Sequence, residues 1–456
     1  MRSTLLLVVA ILLEVHSVAQ QHVQWIVSTE NAPWVERQVP TINATSTDRD
    51  LLTVEVSRAF QRMDGFGGCF NELGWEALKG LEAAEREKVL ASLFSPRGAD
   101  FNLGRMPIGA NDFANGWYSL DETPDDLSME RFSIARDRED LLPFVKAAIQ
   151  IHPGFAVWSV PWSPPTWMKT NGQYKGGEWK QDAATLKAYA LYFSRYVQAY
   201  RAEGVPVFAV MPQNEPNYNN NVYPQAIASP ELLGRFLRDY LAPQIKQDKL
   251  NTQIWLGTIV KPAMGYVDAS LQDPVVRKEV TGVGVQWEGQ QSLQAIHDAF
   301  PEKVLAQTET ECYNGQNSWA QAMQTMHNMI ADITHGASSY FYWNLVLDER
   351  GTSHWNWKQN SLVTVDRATR KVTYNPEFYA LRHVSSFVHP GARRVAVHGS
   401  SLTDTVAFQN PDGGVVIVAA NHTQNAMQVG IAVGARVLRL SVPPESMDTF
   451  VLPMAK

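Results

Sequence analysis

Two glutamates directly follow short apolar segments that have the character of buried strands. Glu215 follows the run Val207–Met211 through Pro212-Gln213-Asn214, and Glu309 follows the run Val304-Leu305-Ala306-Gln307-Thr308. A pair of carboxyl groups on opposite sides of a sugar can divide the work of glycoside hydrolysis. One group protonates the leaving oxygen, and the other attacks the sugar or activates water. The types and positions of these residues therefore indicate a site in which two carboxyl groups act together on one bond.

The elements that must position these glutamates alternate between strand and helix. Short apolar runs are separated by helical stretches from about residue 65 to 345, which is typical of βα units around a parallel sheet. Eight such units predict a (β/α)₈ TIM barrel, an α/β fold. The predicted strands are Gly65–Phe70, Phe101–Pro107, Phe155–Val160, Val207–Met211, Ile254–Thr258, Val283–Trp287, Val304–Thr308 and Ser338–Trp343.

The barrel hypothesis brings the two glutamates together. Reactive groups of such barrels lie at the carboxyl ends of the strands, and strands four and seven face each other across the barrel. Glu215 and Glu309 follow these two strands. Residues two apart in an extended segment point the same way, so periodicity alone does not separate Glu309 from Glu311.

Two predicted helices have clear starts. Asp182 is a predicted cap for a helix whose apolar face begins at Leu186 and which ends before Gly204. Another helix is predicted to start at Ser229-Pro230, with the hydroxyl as cap and proline in the first turn. Both helices should pack against the barrel.

The chain ends differ in character from its middle. Arg2, the apolar run Leu5–Leu13 and the small residues before Ala19 predict a cleaved signal peptide at residues 1–19, and hence a secreted or periplasmic protein. The apolar run is too short to span a bilayer, so no stable membrane insertion is expected. Residues 20–60 are predicted to join a C-terminal β-sandwich of residues 386–456, with the barrel at 61–385.

The helical period disappears after about residue 385, where short strands alternate with turn signals. An antiparallel β-sandwich appended to the barrel is therefore predicted. Its predicted strands are Arg394–Val397, Thr405–Gln409, Gly414–Asn421, Met427–Ala432 and Thr449–Leu452.

Composition excludes several classes of function. A net charge of −7 without a basic patch argues against nucleic acid as a partner. No HExxH, GxxxxGK[ST] or GxSxG motif is present, and the eleven histidines are scattered, so neither a metal site nor a cofactor is predicted. No obligate protein partner is evident. Whether Cys69 and Cys312 pair stays open.

Several ordered motifs resemble glycoside hydrolase family 30, which contains glucosylceramidases and endo-β-1,6-glucanases. The resemblance covers nearly the whole mature chain and implies a barrel fused to a sandwich, a retaining mechanism and no cofactor. The matching motifs include Asp64-Gly65-Phe66-Gly67-Gly68, Arg105-Met106-Pro107, Asn111-Asp112-Phe113, Pro161-Trp162-Ser163-Pro164-Pro165, Asn214-Glu215-Pro216, Thr308-Glu309 and Trp343-Asn344-Leu345.

The same resemblance implies roles for individual residues. Glu215 corresponds to the acid/base, and Glu309, rather than Glu311, corresponds to the nucleophile. Asn214 is expected to bind the sugar 2-hydroxyl, a contact that strengthens in the transition state. The other expected substrate-binding residues are Arg105, Asp112, Trp162, Trp287 and Trp343.

The substrate expectation depends on a departure within the family. Glucosylceramidases usually have His-Trp-Tyr after strand six, where this chain has Gln286-Trp287-Glu288, a sequence that resembles the endo-β-1,6-glucanase branch. A secreted endo-β-1,6-glucanase acting on a pustulan-type glucan is therefore the preferred hypothesis. The alternatives are a glucosylceramidase or β-glucosidase, and a non-catalytic carbohydrate-binding protein, which the presence of both glutamates disfavours.

Overall fold

The computed structural model describes residues 23–39, 41–43, 51–260, 263–310, 312–399, 402 and 404–453. The predicted signal peptide, residues 1–19, lies outside these described residues. None of the described helices combines the length and apolarity that crossing a bilayer requires.

Eight parallel strands close into a barrel, as the sequence predicted. Each predicted strand is present, with its ends displaced by three residues or fewer, which confirms the TIM-barrel fold. In chain order the barrel strands are Gly65–Cys69, Leu103–Pro107, Ala156–Val160, Val207–Val210, Gln253–Ile259, Val280–Gln286, Val304–Glu309 and Ala337–Asn344. The seventh strand pairs with the sixth and the eighth, and the eighth closes the barrel against the first.

Helices surround the barrel strands and bury their apolar faces against them. The predicted caps are confirmed: Asp182 Oδ1 accepts from Thr185 N at 2.9 Å, and Ser229 Oγ accepts from Leu232 N at 3.2 Å. The α-helices are Glu72–Lys79, Ala83–Phe94, Leu141–Ile151, Ala183–Ala202, Pro230–Phe236, Ala242–Gln247, Met264–Leu271, Pro274–Glu279, Leu293–Ala299, Trp319–Thr334 and Pro376–Ser385.

Glycine is required in the first barrel strand for a steric reason. A Cβ placed on Gly67 would lie 1.7 Å from the backbone oxygen of Leu103 in the neighbouring strand. The glycine-rich segment therefore belongs to the strand itself. Cys69, at the end of this strand, and Cys312 are both buried and free.

A ten-stranded sheet, mixed but mostly antiparallel, forms the β-sandwich and contains strands from both ends of the chain. The strand Gln24–Thr29 pairs antiparallel with Ser446–Leu452. A separate apolar core, which includes Trp25, Ile417 and Phe450, lies within this domain. The strand order is Ala32–Gln38, Gln24–Thr29, Ser446–Leu452, Val415–Asn421, Asp404–Gln409, Arg393–His398, Leu51–Arg62, Met427–Val433, Arg436–Val442 and Thr41–Asn43.

Two features were not predicted from the sequence. The strand Arg436–Val442 forms a hairpin with Met427–Val433, and Gly434 in the connecting turn has a φ of 58°. Its alternation is broken by two adjacent buried residues near the start, which obscures the period of two. The second feature is a small sheet after the barrel, formed by Val346–Asp348, Val363–Val365 and Val372–Tyr374.

Candidate active site

The carboxyl ends of the barrel strands bring all eight predicted site residues to one region. Glu309 is the last residue of the seventh strand, and Glu215 follows the fourth by five residues. Arg105 and Trp343 lie within the second and eighth strands, and the remaining predicted residues lie in the loops after strands two, three, four and six, namely Asp112, Trp162, Asn214 and Trp287.

One amide nitrogen connects the two carboxylates. Gln286 Nε2 donates to Glu215 Oε1 at 3.0 Å and to Glu309 Oε2 at 3.2 Å. The sum of these two distances limits the separation of Glu215 Oε1 and Glu309 Oε2 to about 6 Å. This limit is near the separation of roughly 5–5.5 Å between the carboxyl groups of retaining glycosidases. It is below the roughly 6.5–9.5 Å of inverting glycosidases. Thr308 Oγ1 donates to Gln286 Oε1 at 3.1 Å, which fixes the orientation of the amide.

The neighbours of Glu309 favour its charged form. Arg105 Nη1 donates to Glu309 Oε2 at 2.5 Å, and Trp287 Nε1 donates to Glu309 Oε1 at 2.9 Å. Burial raises the pKa of Glu309, while the Arg105 charge and these hydrogen bonds oppose the increase. A buried carboxylate beside a fully buried guanidinium retains its charge more readily than one without a cation.

Glu215 has a different environment, in which the neutral form is favoured. Burial, followed by the charge of Glu309, raises the pKa of Glu215 to about 7, although hydrogen bonds from Tyr223 and Gln286 lower it. Tyr223 Oη donates to Glu215 Oε2 at 2.7 Å. Two neighbouring carboxyl groups with such different partners, one beside a buried guanidinium and one beside a tyrosine hydroxyl, are suited to separate acid and nucleophile roles.

The backbone around Glu215 is constrained as well. Glu215 has a φ of 49°, in the left-handed region that a side chain rarely adopts, and its N–H donates to Thr258 O at 2.9 Å. Such strained positions persist where the surrounding structure imposes them. The preceding Asn214 accepts through Oδ1 from Thr258 Oγ1 at 2.8 Å and from Arg105. These bonds to Oδ1 set the direction of the Asn214 side-chain NH₂.

A cavity opens above the glutamates and combines carboxylate with aromatic side chains. Within it, Asp112 Oδ1 is buried and has no hydrogen-bond partner among the described residues. Unpaired buried polar atoms of this kind suit sugar hydroxyls. The lining residues are Asp112, Trp162, Glu215, Tyr218, Tyr223, Val260, Trp287, Glu288, Glu309 and Trp357.

Three of the predicted substrate-binding residues do not line the cavity: Asn214 precedes Glu215 in the sequence and is buried, and Arg105 and Trp343 lie behind the cavity wall. Both are fully buried, and the Arg105 guanidinium lies 4.5 Å from the ring centroid of Trp162 and 5.3 Å from that of Trp343. The two indole rings are 5.4 Å apart. This stack holds the guanidinium against Glu309, so the position of Arg105 favours contact with the Glu309 carboxylate over contact with a sugar.

Sequence reasoning missed residues that contact the glutamates. Gln286 ends the sixth barrel strand, so the strand-end rule that selected Glu309 also applied to it. Tyr223 lies in a loop without a recognisable motif, and it stacks on Trp357 with ring centroids 5.2 Å apart. No sequence signal pointed to Tyr223. Glu311 lies outside the described residues.

The chain matches known family profiles over both domains. The Glycosyl hydrolase family 30 TIM-barrel domain matches residues 63–388, and the corresponding family 30 beta sandwich domain matches residues 391–450. The chain belongs to glycosyl hydrolase family 30. It is therefore a glycosidase, and the resemblance inferred from the motifs is confirmed.

Relatives within family 30 carry two different descriptions. "Putative glucosylceramidase 3" of Caenorhabditis elegans is 29% identical over 88% of this chain and 81% of that protein. "Endo-1,6-beta-D-glucanase" of Neurospora crassa is 28% identical over 87% of this chain and 86% of that protein. A solved structure described as an endo-beta1,6-glucanase superimposes with a TM-score of 0.86 and 26% identity, covering 95% of this chain and 99% of that one. Identity alone does not separate the two substrate classes.

Proposed function

We propose that this family 30 glycosidase is a retaining endo-β-1,6-glucanase, with Glu309 as nucleophile and Glu215 as acid/base. The observation that supports the mechanism is the shared Gln286 amide, which limits the spacing of the two carboxylates. Arg105 bonds directly to Glu309, whereas the described side chains that bond to the Glu215 carboxylate, Tyr223 and Gln286, are neutral, and this difference supports the division of roles.

The proposed reaction has two displacements. In the first, a Glu309 oxygen bonds to the anomeric carbon as the glycosidic C–O bond breaks, and Glu215 gives its proton to the leaving oxygen. In the second, Glu215 takes a proton from water, whose oxygen bonds to the anomeric carbon and displaces Glu309. Each displacement inverts the carbon, so the released sugar retains the β configuration.

The stereochemical outcome tests the mechanism directly. Proton NMR of the first products should show the β-anomer before mutarotation equilibrates it with the α-anomer. Initial release of the α-anomer would contradict the nucleophile role of Glu309, because a single displacement inverts the anomeric carbon.

The cavity mouth supports a glucan in preference to a lipid glycoside. Glu288 is exposed at the rim, and Trp287 and Trp357 are half-buried beside it. Four large hydrophobic side chains are exposed among the described residues, and Val222 alone of these is adjacent in sequence to a cavity residue. Aromatic faces and carboxylate oxygens suit further sugar units, whereas two acyl chains need a continuous apolar surface.

The substrate is tested by product analysis on three substrates in parallel. The protein should release gentio-oligosaccharides from pustulan and leave laminarin and glucosylceramide unchanged. Mixed oligosaccharides at the earliest times would support internal cleavage, whereas glucose alone would indicate cleavage from chain ends. Release of ceramide with pustulan unchanged would replace the glucan proposal with the glucosylceramidase alternative. The Glu309→Gln variant is the matched control, because it should be inactive on every substrate.

We also propose that the protein is exported, on the basis of the N-terminal leader pattern ending near Ala19. Expression of the full chain should yield a secreted or periplasmic product whose N-terminus begins near Gln20. A full-length product retained in the cytosol would contradict this proposal.

A further inference from the structure

A cluster of His327, Asp404 and His422 joins the barrel to the β-sandwich. Asp404 Oδ2 lies 2.8 Å from His327 Nδ1 and 2.6 Å from His422 Nε2. His327 lies on the barrel helix Trp319–Thr334, Asp404 begins the strand Asp404–Gln409, and His422 follows the strand Val415–Asn421. One carboxylate oxygen therefore connects side chains of both domains.

We propose that these three residues form a Zn²⁺ site that links the two domains, with a water molecule as the fourth ligand. Zinc commonly takes three protein ligands from histidine and carboxylate side chains when a fourth position stays open to solvent. The three ligand atoms lie within 4.8 Å of one another. Neither the proposed glycosidase mechanism nor the sequence motifs assign a role to these residues.

The geometry of the rings suits a tetrahedral ion. The two imidazole planes meet at 88°, with centroids 6.0 Å apart, so the rings approach the carboxylate from different directions. Ligand atoms of a tetrahedral zinc site lie about 3.3 Å apart, so the imidazoles need to move by roughly an ångström. The His327 and His422 side chains are 49% and 39% exposed, which leaves room for this movement and for water.

The electrostatic environment also suits a cation. The Asp404 side chain is only 10% exposed. Zinc would replace the two N–H donors to this carboxylate, while each imidazole keeps its proton on the other ring nitrogen.

The proposal is tested by calorimetric titration of the full chain, prepared without a histidine tag and treated with EDTA. ZnCl₂ should bind with one ion per chain, whereas MgCl₂ should not, because Mg²⁺ prefers oxygen ligands. The His327→Gln and His422→Gln variants should each bind zinc at least about 10–100-fold more weakly. His398→Gln is the matched control, because His398 pairs with Glu55 at 2.9 Å on the same domain without a second histidine.

Thermal unfolding gives a second readout that is independent of catalysis. Zinc should raise the Tm of the wild type and of His398→Gln, because a ligand that binds only the folded state stabilises that state. Zinc should leave the Tm of the His327→Gln/His422→Gln double variant unchanged. Cooperative unfolding of the double variant in EDTA checks that it is folded. Absence of zinc binding by the wild type, or equal binding by the double variant, would overturn the proposal and leave the cluster as a hydrogen-bonded domain contact.

Discussion

Replacing Tyr223 by phenylalanine should move the alkaline limit of activity to higher pH. Tyr223 Oη donates to Glu215 Oε2 at 2.7 Å and so stabilises the carboxylate form of the proposed acid. Glu215 must be protonated for the first displacement, and its pKa is raised to about 7, so kcat/KM should fall as the pH rises through about 7. Without the hydroxyl, the carboxylate loses a donor and the pKa rises further.

The size of the shift follows from the hydrogen bond. A bond to a charged acceptor contributes about 1.5–3 kcal/mol, and one pKa unit corresponds to about 1.4 kcal/mol. The pKa of Glu215 should therefore rise by at most about two units in Tyr223→Phe. We expect a rise of about one unit, because the hydroxyl also donates to the neutral acid and so stabilises both forms. The phenylalanine ring keeps the stacking on Trp357, which has an interplanar angle of 19°.

The assay is the pH dependence of kcat/KM on a soluble β-glucoside or gentio-oligosaccharide. Tyr196→Phe is the matched control, because Tyr196 is also buried and its hydroxyl pairs with Ser159 Oγ at 2.9 Å without contacting either glutamate. Its profile should equal that of the wild type. An alkaline limit that stays in place or moves to lower pH in Tyr223→Phe would refute the reasoning.

Three other predictions concern the nucleophile, acid stability and strand packing. Glu309→Gln should lower kcat/KM by at least about 10⁴-fold, whereas Glu311→Gln should keep most activity; the opposite result would reassign the nucleophile. Burial of His383 lowers its pKa from 6.5 to about 3, so the unfolded state binds more protons between these values and the free energy of unfolding decreases as pH falls through this window. Denaturant titrations from pH 3 to 6.5 measure how the free energy of unfolding depends on pH. This dependence should be shallower in His383→Gln than in the wild type, by up to about 1.4 kcal/mol per pH unit. Equal pH dependence in the two proteins would contradict the lowered pKa of His383. Gly67→Ala should reduce the free energy of unfolding by about 3 kcal/mol or more, because its Cβ would lie 1.7 Å from a backbone oxygen. The control is Gly265→Ala, at an exposed helical position, which should increase the free energy of unfolding by about 0.5–1 kcal/mol. Equal effects in the two variants would be inconsistent with the steric argument.

Local sequence patterns were sufficient for the barrel and for Glu215, whereas the choice of Glu309 over Glu311 depended on the family resemblance. The eight strands are predictable because parallel strands that are buried on both faces are short apolar runs, and helix caps such as Asp182 depend on neighbouring residues. A carboxylate after such a run points to the reactive end of a barrel. The strand Arg436–Val442 escaped prediction because its period is irregular at the start.

Tertiary structure alone decided the features that depend on convergence of distant segments. The contacts of Tyr223 and Gln286 with Glu215, and of Arg105 with Glu309, join residues from separate loops and strands. Their effect on pKa arises from burial and from distances of a few ångströms, neither of which is encoded in residue spacing. For the same reason, the cluster around Asp404 was invisible among scattered histidines: its members meet only when a barrel helix packs against the sandwich. The sequence by itself determined the barrel strands and the positions of the two glutamates, and the packing of the folded chain determined the neighbours of these glutamates and the environment that sets their pKa values.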